Sequence, residues 1–215
     1  MMKKKSVIKI IVVDDHLIVR KGLKKILDET PDIEVVAEAS SGQEFLSKVS
    51  KEKYDMVLLD IFLPDMSGLD ILKYLRAQKP GLPVLILSMY PEEQYAVRTL
   101  KAGASGYLNK ASLSEELISA IRKVREGRKY VSPALAEKLA CDLDAGSEKP
   151  PHENLSDREY QVMCMIGSGK RVKDIAEELF LSVKTISTYR SRILEKMKIK
   201  NNAELIHYAV KNKLA

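Results

Sequence analysis

The chain of 215 residues is long for one small domain and sufficient for two, each able to bury its own core. Its formal charge of +6 is uneven: residues 154–215 hold twelve Lys or Arg against seven Asp or Glu, whereas residues 1–127 hold twenty against eighteen. No apolar run approaches the roughly 20 residues needed to cross a bilayer, and Cys141 and Cys164 form no CxxC and lack nearby histidines, which argues against a cysteine metal site and fits a reducing, cytoplasmic setting.

Lys3 to Lys5 read as a solvated tail, with no apolar signal-like segment after them. Val7 to Val13 is a Val- and Ile-rich run ending at Asp14 and Asp15, the pattern of a buried strand. Leu17 to Leu27 has helical spacing, Glu34 to Ala39 is a short strand, and Gln43 to Val49 is helical again. Met56 to Leu59 is uninterrupted apolar sequence, suited to a central strand covered on both faces, and it ends in Asp60. A helix is expected at about Leu69 to Ala77, a strand at Val84 to Leu87 and a helix at about Glu92 to Leu100. Tyr107 to Asn109 make a fifth strand ending at Lys110, and Leu113 to Val124 a last amphipathic helix. Five strand–helix units predict an α/β fold, a doubly wound five-stranded parallel sheet covered on both faces, and right-handed crossovers leave few strand orders, 2-1-3-4-5 among them.

Residues 128–153 change character, with Pro133, Gly146, Pro150 and Pro151 around a short helix expected at Ala134 to Cys141, and read as a linker. The C-terminal segment beyond it is all helix. Ser156 and Glu159 make a capping box, Val172 to Leu179 is a second helix, Ser182 caps a third running to about Lys196, and Asn202 starts a fourth. The expected domains are therefore 1–127, an α/β domain; 128–153, a linker; and 154–215, a small all-α domain.

In an open parallel sheet, ligands bind beyond the carboxyl ends of the strands. The order 2-1-3-4-5 puts Asp14 and Asp15 beside Asp60 at that edge, although a strand-end Asp taken alone also serves as a turn cap. Crowded carboxylates call for a hard divalent cation such as Mg2+, and a carboxylate beside it can accept a phosphoryl group. Ser88 and Lys110, at the ends of the fourth and fifth strands, supply a hydroxyl and a cation for phosphoryl oxygens. His16 stands next to the acidic pair, either touching the site or exposed at a helix start.

Through VVDDH at Val12 to His16, LLDIFLPDMSG, LILSM and GYLNK, residues 7–127 resemble the receiver domain of bacterial two-component response regulators. The resemblance implies that Asp60 takes phosphate from a sensor histidine kinase. It also implies that Asp14, Asp15, Asp60 and the backbone carbonyl of Phe62 hold Mg2+, that Lys110 pairs with the phosphoryl group, and that Ser88 and Tyr107 form a switch pair. Ala111 stands where many receivers have proline, so no cis peptide is expected there.

In the basic C-terminal part, Val172 to Lys196 has the spacing of a helix-turn-helix, its turn at Phe180 to Ser182. Ile186, Tyr189, Ile193 and Met197 share one face, expected to be core. The opposite side carries Lys184, Thr188 and Ser191, with Ser187 at its margin, all placed toward base edges; Arg192 on the outer flank and Arg190 near the core side are the candidates for phosphates. LSDREYQVMCMI and KDIAEELFLSVKTISTYRSRILEKM make residues 154–213 resemble the DNA-binding domain of NarL/FixJ, or LuxR-type, response regulators. Many relatives have Lys at Ser187 and His at Tyr189, which leaves the operator sequence open. Apolar positions in Ala203 to Lys213 serve either a dimer interface or the domain's own core. The expectation is a regulator that is a homodimer when phosphorylated, binds double-stranded DNA, meets RNA polymerase, involves no membrane, and is not an enzyme on external substrates. A Mg2+-dependent phosphohydrolase is the rival, but it would want a second aspartate two residues after Asp60, where Phe62 stands.

Overall fold

The structure, a computed structural model, describes residues 7–133, 135–137, 139 and 150–215. The Lys3 to Lys5 tail and most of the helix expected at Ala134 to Cys141 lie outside the described residues. Two compact units result, Met1–Ala136 and Glu137–Ala215.

The first unit alternates β1 (Ile8–Val13), α1 (Leu17–Asp28), β2 (Ile33–Ala39), α2 (Gly42–Lys51), β3 (Met56–Asp60), α3 (Gly68–Gln78), β4 (Val84–Ser88), α4 (Glu92–Lys101), β5 (Gly106–Asn109) and α5 (Leu113–Arg125), with a 3-10 turn at Lys110–Ser112. Every pairing is parallel and the order is β2-β1-β3-β4-β5, the doubly wound sheet expected. Every residue of β3 and β4 is buried, because helices cover both faces and leave no side for polar alternation. On one face Ile10, Val12, Leu58 and Leu87 pack with Leu23 and Leu27 of α1 and Leu117 and Ile121 of α5. Each such side chain contributes about 1.5–3 kcal/mol on burial. The strand order reverses between β1 and β3, so a crevice opens where Asp14 and Asp60 leave the sheet.

Gly68 holds the β3–α3 turn close to the sheet. A Cβ there would lie 2.4 Å from the Asp60 carbonyl oxygen, so no other residue fits without moving the strand end. Phe62 and Ser67 form a small antiparallel bridge across the same turn. The backbone contains no cis peptide among the described residues.

The start of the segment read as linker behaves differently from its composition. Tyr130 pairs in parallel with Gly106 of β5, its N–H donates to the Ser105 carbonyl at 2.9 Å, and its hydroxyl donates to Glu116. The open edge of β5 supplies backbone partners that a reading of proline and glycine content does not register.

The second unit comprises α6 (Asp157–Gly167), α7 (Val172–Glu178), α8 (Val183–Met197) and α9 (Asn202–Lys211), after a 3-10 turn at Pro151–Asn154. The capping box is present: Ser156 Oγ accepts from the Glu159 N–H and Glu159 Oε2 accepts from the Ser156 N–H. Of the expected core face of α8, Ile186, Ile193 and Met197 are buried, but Tyr189 is only half-buried. In α9, Leu205 and Ala209 serve the core while Ala203 and Val210 are exposed. No helix among the described residues is long and apolar enough to cross a membrane.

Candidate functional site

Asp14 follows β1 and Asp60 ends β3, neighbouring strands in register, so sheet geometry alone brings the two carboxylates together. Asp14 is fully buried and Asp60 nearly so. Lys110, just past β5, reaches back over the sheet edge: its Nζ is 2.6 Å from Asp60 Oδ2 and 2.6 Å from Asp14 Oδ2. Asp14 Oδ1 accepts from the His16 N–H at 2.9 Å, and Asp60 Oδ1 from the Phe62 N–H at 3.3 Å.

Burial pushes the Asp60 carboxyl up to about 6; the Lys110 charge pulls it down and the Asp14 charge pushes it up again. For Lys110, burial works against the ammonium, yet Asp60 and Asp14 more than reverse this and its pKa ends above the usual lysine value. Two buried negative charges thus share one positive charge, leaving an uncompensated carboxylate that suits a further cation. Ligand atoms of Asp14, Asp15, His16 and Asp60 all lie within 4.8 Å of one another. This donor set fits a divalent metal ion, the carboxylates being the ligands a hard cation takes.

Ser88 ends β4, fully buried, and its Oγ accepts from the Tyr90 N–H at 3.1 Å. Tyr107 is buried in β5 and donates its hydroxyl to the Tyr90 carbonyl at 2.8 Å; burial raises its pKa, so it stays a protonated donor. Asn109 Nδ2 donates to the same carbonyl at 3.2 Å, while its Oδ1 accepts from the Ala111 N–H next to Lys110. Phe62, Tyr90 and Tyr95 stack edge to face beside this loop, ring centroids 4.9–5.4 Å apart.

Sequence reasoning gave Asn109 and Tyr90 no part in the site. Asn109 was legible inside GYLNK, but only the fold shows that it joins the loop of Lys110 to the loop after Ser88. Arg20 was missed as well: it donates Nη1 to the Asp14 carbonyl at 2.7 Å and Nε to Glu38, bracing the acidic pair from α1. The Asp65 carboxylate, part of the same acidic sequence, turns away and caps α2 through the Gly42 and Gln43 N–H groups.

In the second unit Ser182 caps α8 by accepting from the Thr185 N–H. Lys184, Thr188, Ser191 and Arg192 are exposed and Ser187 is half-buried. Thr188 and Ser191 donate their hydroxyls to the carbonyls of Lys184 and Ser187, one turn back. Arg190 differs from Arg192: it is half-buried and donates Nε to Asn202 Oδ1 at 2.6 Å, tying α8 to α9. The α7–α8 turn places Phe180 in the left-handed region at φ 53.

A doubly wound sheet with an acidic, lysine-bridged edge, joined to a helix-turn-helix, defines a two-domain regulator class. Residues 10–122 match the response regulator receiver domain, and residues 153–209 match the bacterial regulatory proteins of the luxR family. The chain belongs to the NarL/FixJ-type two-component response regulators, with a receiver and a LuxR-type DNA-binding domain. It is 36% identical over 206 residues to Response regulator GacA of Pseudomonas aeruginosa, covering 95% of this chain and 96% of that one. It is 38% identical over 214 residues to Oxygen regulatory protein NreC of Staphylococcus epidermidis, covering 96% and 98%. The RcsB response regulator of Salmonella typhimurium has a similar fold, with a TM-score of 0.70 at 24% identity over 96% of this chain and 98% of that one. A receiver implies a histidine kinase as partner, and the LuxR-type domain implies DNA.

Proposed function

We propose that Asp60 accepts a phosphoryl group from a sensor histidine kinase and that this drives the protein as a homodimer onto operator DNA, where it meets RNA polymerase. The observation that carries the reading is the position of Lys110 Nζ, 2.6 Å from both Asp60 and Asp14 at the carboxyl edge of the sheet. In the transfer, the P–N bond of a phosphohistidine breaks as a P–O bond to an Asp60 carboxylate oxygen forms, and the imidazole leaves with a proton. Asp14, Asp15, Asp60 and the Phe62 carbonyl would hold Mg2+, which when bound supplies charge neutralisation for the transferring group. Lys110 neutralises a phosphoryl oxygen. Ser88 donates its hydroxyl to another, which draws on the loop that Tyr107 and Asn109 hold through Tyr90. The chemistry is confined to gain and loss of the protein's own phosphoryl group, with no turnover of an external substrate.

Within this reading the receiver is 1–127, the linker 128–153 and the DNA-binding domain 154–215, working in the cytoplasm. Lys184, Ser187, Thr188 and Ser191 face bases, Arg192 and Arg190 face phosphates, and Arg190 also braces α8 against α9. The test is to select binding sequences from a random duplex pool, then titrate the selected duplex with wild type and Asp60→Asn, each with and without a small phosphodonor and Mg2+. Donor-dependent tightening in wild type alone supports the reading; equal tightening in both proteins contradicts it.

A further inference from the structure

His16 stands at the acidic edge, and the phosphoryl chemistry does not use it. Its side chain is 66% exposed, yet its ring turns inward: Nδ1 lies 2.7 Å from Asp15 Oδ1 and 3.4 Å from Asp14 Oδ1. Its position is fixed, because its own N–H is held by Asp14 Oδ1 and it is the N-cap of α1. The imidazole nitrogen and one oxygen from each of Asp14, Asp15 and Asp60 lie within 4.8 Å of one another. Ligands at about 2.0–2.2 Å from one ion lie at most about 4.4 Å apart, so these four atoms come together on one metal ion after a shift of a few tenths of an ångström.

Imidazole changes what such a site selects. A hard cation such as Mg2+ takes oxygen ligands and keeps several waters, so a ring nitrogen offers it little. Borderline cations such as Zn2+ and Cu2+ are well suited to imidazole, and their affinity for mixed nitrogen and oxygen sites exceeds that of earlier divalent ions. Arg20 pins the Asp14 backbone and the His16 side chain is mostly exposed, so the ring meets an ion without refolding of the strand end.

We infer that His16 Nδ1 joins Asp14, Asp15 and Asp60 in a mixed carboxylate–imidazole site that takes borderline divalent transition metals in preference to Mg2+. The inference rests on the reading of the acidic edge as a metal site. Its consequence is a receiver whose Mg2+ is subject to displacement by such an ion.

The test uses the unphosphorylated full-length chain. Zn2+ and Mg2+ affinities are measured by calorimetric titration on wild type, His16→Ala, His16→Gln and Asp15→Ala, and the Cu2+ complexes are examined by electron paramagnetic resonance. His152 and His207 are the other two histidines of the chain, and His207→Ala serves as the background control. The expected result is that both His16 variants lower the Zn2+-over-Mg2+ preference by more than about tenfold, the scale of losing an oriented imidazole. The nitrogen splitting in the Cu2+ spectrum should disappear with His16 and survive His207→Ala. Unchanged preference in the His16 variants, or nitrogen splitting that persists without His16, overturns the inference. Zn2+ binding that needs His16 but survives Asp15→Ala overturns the shared site. If wild type fails to bind Mg2+ while the His16-dependent Zn2+ site remains, it is the Mg2+ reading that fails.

Discussion

Lys110 and Asp60 form an almost fully buried ion pair, Nζ to Oδ2 at 2.6 Å with side chains 4% and 5% exposed, and the same ammonium holds Asp14 at equal distance. One lysine therefore balances the edge of two strands. Removing it leaves two buried carboxylates facing each other. Breaking a buried pair by deleting one partner costs about 3–5 kcal/mol. Lys110→Ala should lose stability of that order in chelator, and regain much of it in Mg2+, where a metal ion replaces the missing charge. Denaturant unfolding with and without Mg2+ checks this; a loss that Mg2+ does not relieve would separate Lys110 from the metal site.

The raised pKa of Asp60 makes a pH prediction. An acid whose folded-state value lies above its unfolded one contributes stability that is present at low pH and lost as pH rises through the folded value, here about 6. Between about pH 5 and 7, metal-free wild type should lose stability relative to Asp60→Asn, which has no carboxyl to ionise. A gap in melting temperature between the two that stays constant over this window would count against the burial of Asp60.

The strand sequence and the site were unequally legible. Asp14, Asp15, Asp60 and Lys110 could be read because each stands at or just past the end of a strand segment, and strand order then brings them to one edge. Ser88 and Tyr107 could be named as a pair only through the resemblance; how they connect was not legible. Their connection runs through the backbone N–H and carbonyl of Tyr90, and backbone groups leave no mark in a sequence. Tyr130 escaped for the same reason, since its partners are the backbone of Ser105 and Gly106. On α8, helical spacing separated core from surface correctly at Ile186 and Ile193, whereas the Arg190 bond to Asn202 depends on how α9 crosses and could not be read from α8 alone.

The loop tied through Tyr90 predicts an uncoupled phenotype. Ser88→Ala, Tyr107→Phe and Asn109→Ala should each accept phosphate yet dimerise less. Ser88→Ala loses a charge-assisted hydrogen bond of about 1.5–3 kcal/mol, which shifts the monomer–dimer balance by roughly tenfold or more, while Tyr107→Phe and Asn109→Ala each lose a neutral bond of about 0.5–1.5 kcal/mol and shift it less. Sedimentation of phosphorylated wild type and variants at matched phosphate content measures this. Full dimerisation in all three would remove the loop from the signal path.

The two arginines of α8 should separate by salt dependence and stability. Arg192→Ala should weaken binding to any duplex and lower the salt slope by about one without altering thermal stability, because Arg192 is exposed. Arg190→Ala should lower the slope and also the melting temperature, since it removes the tie to Asn202. Titrations of unselected duplex DNA at several salt concentrations, with melting curves alongside, decide the matter. Identical stability losses in both variants would refute the division.

Asp60 as phosphoacceptor is tested by mapping the modified residue with peptide mass analysis after treatment with a small phosphodonor. Modification is expected at Asp60 in Mg2+, with its loss in chelator and its absence in Asp60→Asn and in the Asp14→Ala, Asp15→Ala double variant. Phosphorylation that persists on another residue in Asp60→Asn, at the wild-type level and still dependent on Mg2+, would contradict it.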